Sequence, residues 1–163
     1  MSKTITALYE TRTEAELAAS RLMSSGIGVD DLSIMMADGT RGREWGISEA
    51  TKAPEGAAAG GATGGALGAL IGGLAAVGTI ATGGAGIVAA GPIVAALAGA
   101  GAGGVAGSVV GGLIGMGIPE HEAQLVEDEL EGGKILLGVK AHDDRVDRVK
   151  NVLDETGGLS IKS

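Results

Sequence analysis

From Thr4 to Tyr9 the chain alternates, with Ile5, Ala7 and Tyr9 on one side and Thr4, Thr6 and Leu8 on the other. That period of two predicts a short strand within TITALYE. A helical period takes over in EAELAASRLMSSG, where Ala15, Ala18, Ala19 and Leu22 share a face. Thr11 or Thr13 stands where a cap is needed, and Gly26 and Gly28 stand where the helix should stop. DDLSIMMA then reads as strand again. The same grammar recurs near the other end: KILLGVKA is a strand, and Asp143 or Asp144 caps a helix with Val146, Val149, Val152 and Leu153 on one side. Gly157 and Gly158 end that helix, and LSIKS is a last strand. Leu32-Ser33-Ile34 and Leu159-Ser160-Ile161 repeat one another. Two βαβ units in tandem predict an α+β fold, a ferredoxin-like βαβ–αβαβ sandwich. Residues 1–37 form its first half, 38–55 a linker and 119–163 its second half. The second half opens with an extra helix, PEHEAQLVEDELEGG, started by Pro119 and stopped by Gly132 and Gly133.

Between the halves the pattern changes. Residues 56–119 contain no charged side chain. Two apolar runs, about 56–81 and 92–117, flank TGGAGIVAAG, and within residues 56–118 they predict a helical hairpin. A helix of either length would reach about 39 Å, enough to cross the hydrocarbon of a bilayer with some tilt. In the first run Leu67, Leu70, Ile71 and Leu74 gather on one side of the helical wheel, opposite Gly61, Gly65, Gly68 and Gly72. In the second, Gly99, Gly103, Gly107, Gly111 and Gly115 form one row and Val105, Val109, Leu113 and Met116 another. Glycine costs a helix about 1 kcal/mol relative to alanine. Placing it every fourth residue makes sense as a packing surface on which two helix backbones approach closely. The contact residues this predicts are Gly60, Gly64, Gly68, Gly72, Gly103, Gly107 and Gly111. A flexible linker would use serine, and this stretch has only Ser108.

The hairpin's large side chains are few. Those of the first run contribute only about −2 to −4 kcal/mol towards insertion, so either helix alone is marginal in lipid. The expected environment is a bilayer entered as a paired hairpin or oligomer, with both termini cytoplasmic. Trp45, Arg41, Arg43 and Lys52 would sit at the membrane interface, although Glu44, Glu49 and Glu55 dilute the basic signal. The alternative is a soluble scaffold, a shell or filament, whose hairpins make a protein-enclosed core.

Composition narrows the function. The chain of 163 residues has 32 glycines, one tryptophan, one tyrosine and no phenylalanine or cysteine. Disulfides and thiolate metal sites are excluded. A net charge of −8 argues against nucleic acid. The opening MSKTITALYETRTEAE has no long apolar run, so no secretory signal is expected.

TALYETRTEAELAASRLMSSGIGVDDLSIM resembles the opening of the bacterial general stress protein family, also called heat-induced or low-temperature-induced stress proteins. The matching features are Tyr9-Glu10, the Ala-rich helix from Ala15 to Leu22, Gly26, and the strand from Leu32 to Ile34. GIPEHEAQLVEDELEGGKILLGVKA, from Gly117 to Ala141, looks like that family's Gly-Ile-Pro-acidic helix, Gly-Gly and strand. The resemblance implies a stress-related role at or in the membrane and brings no catalytic residues.

Other chemistry is thin. GAGAGG, Gly99 to Gly104, matches G-x-G-x-x-G, but so glycine-rich a run produces that pattern by composition, and no acidic residue follows about 20 positions on at a strand end. No phosphate-binding G-x-x-x-x-G-K-[ST] occurs. His121 lies beside Glu120 and Glu122, and His142 precedes Asp143 and Asp144. Acids at helix starts are ordinary dipole partners, so no metal is expected. Glu127, Asp128, Glu129 and Glu131 read as a solvated face or a docking surface for a basic partner. The expectation is a non-enzymatic protein without cofactor, nucleotide or nucleic acid, whose partners are the bilayer and further copies of itself.

Overall fold

The computed structural model describes residues 2–37, 40, 78–81, 86–91, 109–115 and 118–162. Its elements are β1 (Ser2–Tyr9), α1 (Arg12–Ser24), β2 (Leu32–Ala37), β3 (Gly78–Ala81), β4 (Gly86–Ala90), α2 (Val109–Gly115), α3 (Glu120–Glu131), β5 (Ile135–His142), α4 (Val146–Glu155) and β6 (Leu159–Lys162). The fold is α+β. Its strands form one antiparallel sheet in the order β3-β4-β2-β5-β1-β6.

The expected local chemistry sets the element ends. Thr11 accepts a hydrogen bond from the Glu14 backbone while the Glu14 carboxylate accepts one from the Thr11 backbone, a reciprocal capping box. At three helix ends a glycine takes a left-handed φ, Gly26 at +90°, Gly133 at +105° and Gly157 at +85°. At each, the next N–H reaches back five residues, from Ile27 to Leu22, Lys134 to Glu129 and Gly158 to Leu153. The start of α4 differs from expectation. A 3₁₀ turn, Asp143–Arg145, leads into it, and neither that turn nor the helix has a side-chain cap.

The sheet is covered on both faces. On one, Ile5, Ala7 and Tyr9 of β1 meet alternate residues of β2 and β5. Ala15, Ala18, Ala19 and Leu22 of α1 and Val146, Val149 and Leu153 of α4 close over them. Alanine on α1 lets that helix lie close to the sheet, and the Leu and Val side chains fill between. On the other face Leu8, Met35 and Leu136 pack under Ala123 and Leu130 of α3 and Leu113 of α2. This second cover explains why β2 is buried at all six positions instead of alternating.

Tyr9 ties the two ends of the chain together. Its buried hydroxyl lies 3.3 Å from the Leu153 carbonyl oxygen and 3.0 Å from Thr156 Oγ1. Thr156 in turn donates to the Val152 carbonyl at 2.8 Å. Burial pushes the Tyr9 hydroxyl above its usual pKa; the Thr156 hydrogen bond partly offsets this and the nearby Glu14 charge adds to it.

Candidate functional site at the glycine-rich junction

The insert is where function was expected, and three parts of it are described. Gly78–Ala81 is a strand, so the helix predicted over about 56–81 does not extend through its last four positions. Gly86–Ala90, expected in the connection between helices, is also a strand. The β-branched Thr79, Ile80, Ile87 and Val88 explain this locally, since branched side chains suit a pleated strand better than a helix. The two strands form a regular antiparallel pair from Gly78–Ala89 to Ala81–Gly86. β4 then pairs with β2, from Ile34–Ala90 to Ala37–Ile87.

Gly91 makes the departure from β4 sterically tight. It has φ +101°, and a Cβ there would sit on the Leu32 carbonyl oxygen and 2.7 Å from Ser33 Cα. Only glycine allows the chain to pass so close to the start of β2. The third described part, α2, falls inside the predicted 92–117 helix but returns to the domain. Leu113 is fully buried against the sheet, with Val110 and Ile118 packed alongside. The Ile118 N–H bonds the Leu113 carbonyl at 3.0 Å and directs the chain into α3. The linker side is tied down too: the Thr40 hydroxyl donates to the Gly133 carbonyl at 3.4 Å.

Of the predicted packing glycines, Gly111 lies in α2, where it makes contact with its surroundings. Gly60, Gly64, Gly68, Gly72, Gly103 and Gly107 lie outside the described residues, as do Trp45, Arg41, Arg43 and Lys52. Among the described residues no helix is long and apolar enough to cross a membrane.

The histidines are not brought together. His121 Nε2 lies 4.0 Å from Glu122 Oε1, and that same oxygen receives Lys162 Nζ at 3.1 Å. His142 ends β5, opposite Ser2. Among the described residues no group of three His, Asp or Glu side chains is arranged to hold a metal. The acidic stretch of α3 is divided in its surroundings. Glu129 pairs with Lys134 at 2.6 Å. Partial burial raises the pKa of Glu127, with the Glu131 and Asp128 charges adding to the effect.

The apolar stripe Ala123, Val126 and Leu130 of α3, legible at spacings of three, four and seven, predicts that this helix covers a surface. Reading that stripe would have shown that the sheet has two buried faces. It would also have drawn attention to the β1 positions that point to the second one. Comparison with family models, with curated proteins and with solved structures gives no match to this chain.

Proposed function

We propose that this protein is a non-enzymatic, self-associating scaffold whose α+β domain presents an uncharged, glycine-rich segment for packing against further copies of itself. The strand order β6-β1-β5-β2, with α1 and α4 on one face, supports a ferredoxin-like assignment for that domain. The observation that carries the functional reading is the pairing of β4 with β2. A two-pass membrane hairpin that turned around residues 82–91 would carry β4 to the far side of the bilayer from β2. Hydrogen-bonded strands lie within about 5 Å of each other. The pairing therefore favours an insert enclosed by protein over the two-pass hairpin.

Self-association follows from what remains of the insert. Its glycines recur every fourth residue, and close backbone packing is the use that offsets their helix cost. The stress-related role implied by the resemblance fits a protein whose assembly is itself the activity. A bilayer-embedded insert is the second reading, supported by the absence of charge across residues 56–119.

Expression without detergent, followed by alkaline carbonate washing of the membranes and light scattering on the soluble fraction, tests the proposal. The expected result is a discrete soluble particle several times the 15.8 kDa chain. Gly68→Leu or Gly107→Leu should reduce it to smaller species while the circular dichroism of the domain persists. Retention in the washed membranes with release only by detergent would replace this reading with the membrane one.

A further inference from the structure

Away from the junction, residues of α3 also face the β1–β6 edge of the sheet. Between α3 and that edge is a cleft of about 320 Å³, at the lower end of the range for small-molecule sites. Leu8, Ile118 and Val126 supply its apolar lining, and Leu125, 61% exposed, stands at its mouth.

Three features set this cleft apart from a packing gap. First, the Thr6 side chain lines it and is only 3% exposed, yet its hydroxyl has no hydrogen-bond partner among the described residues. A buried hydroxyl left unsatisfied costs about 1–3 kcal/mol, and such a group calls for a partner from outside the fold. Second, the β1–β6 register slips between Thr6 and Leu8, and within that bulge Ser160 takes φ +50° on the cleft wall. Bulges and left-handed non-glycine residues are concentrated at sites where a side chain must be re-aimed. Third, the charged rim is internally neutralised. Glu122 is paired with Lys162 and Glu129 with Lys134, and His121 stands beside them.

We infer that this cleft is a binding site for a small uncharged amphiphile, one with a compact apolar body and a single hydroxyl or carbonyl group. The apolar body lies against Leu8, Val126 and Leu125. The polar group exchanges a hydrogen bond with the Thr6 hydroxyl, which can both donate and accept. A free carboxylate or ammonium is disfavoured, because entering would require breaking one of two existing ion pairs. This inference stands apart from the self-association reading and does not depend on it.

Phenol and toluene, equal in size and differing in the hydroxyl, are suitable probes, with benzoate and benzylammonium as charged counterparts. Ligand-observed saturation-transfer NMR on the full chain works whatever the size of the particle. Phenol should bind at millimolar concentration or below, at least fivefold more tightly than toluene and more tightly than either ion. Thr6→Val, which keeps the side-chain shape, should bring phenol and toluene to within twofold of each other. Leu125→Glu, at an exposed position that folding does not depend on, should weaken both by severalfold. Absence of transfer to any probe would overturn the assignment, leaving a cleft that holds water. So would phenol binding that Thr6→Val leaves unchanged, or binding of an ion as tight as that of phenol.

Discussion

The two faces of the sheet are built by different rules. Among the described residues, the face under α1 and α4 is made by the two chain ends, mostly from alanine, leucine, isoleucine and valine. It is sealed at its edge by the Tyr9–Thr156 hydrogen bond. The opposite face is smaller and is shared with the insert through Leu113, while Thr6 leaves an open cleft beside it. One face therefore sets the fold. The other joins that fold to the segment through which we propose it acts. A stable scaffold with a less densely packed functional side is how proteins commonly divide stability from activity.

The widest separation between the faces should come from two leucine truncations. Leu137→Ala, in the central strand of the first cluster, should cost about 3 kcal/mol of global stability in denaturant unfolding. Leu113→Ala should cost about 2 kcal/mol or less, because a seven-residue helix can settle into the gap. Equal losses would mean that α2 is as integral to the domain as β5.

Two glycines sharpen the same contrast. A Cβ at Gly158 would meet the Leu153 carbonyl oxygen at 2.6 Å and Ala7 Cβ at 3.2 Å, so Gly158→Ala should destabilise the whole domain by about 1–3 kcal/mol. Gly91→Ala should instead unseat β4. Hydrogen exchange should then accelerate at residues 86–90 and at the β2 amides facing them, with the β1–β5 amides unchanged.

Tyr9→Phe should cost about 1 kcal/mol at neutral pH through the lost hydroxyl contacts. It should also alter the alkaline limb. The folded pKa of Tyr9 is raised, so its contribution is fully present below the unfolded value near 10 and is lost as pH rises through the folded value. Wild type should therefore lose stability above about pH 10 more steeply than the variant.

The smallest effect belongs to Glu127. Its raised pKa means that the charged form is disfavoured in the folded protein, by partial burial first and by Glu131 and Asp128 next. This destabilisation is absent below the unfolded pKa and grows as pH rises through the folded one. Glu127→Gln should raise the melting temperature slightly at pH 7, and the gain should vanish near pH 4.

The terminal halves were legible because each element carries its own signal. The period-two run of β1, the alanine face of α1 and the valine face of α4 specify strands and helices locally, and the glycines mark the stops. The insert was harder to read. GIVAA reads from sequence as a connection between helices, because so short a run shows no clear period and its strand character depends on the partner that β2 offers. Thr6 was visible only as a polar residue in an alternating strand. What makes it informative is the cover over the second face, a tertiary fact that the β1 sequence alone does not contain.

The pairing of β4 with β2 is the central claim, and a chain with no cysteine allows it to be trapped directly. Met35 and Ala89 are register partners across these strands. Directly opposed residues in an antiparallel pair have Cα atoms about 4.5–5.5 Å apart, within reach of a disulfide. Met35→Cys combined with Ala89→Cys, oxidised mildly in the full chain, should give a high yield of crosslink within single chains and none in either single variant. If the double variant folds normally and forms no intrachain crosslink, β4 is not beside β2, and the insert is free to cross a bilayer.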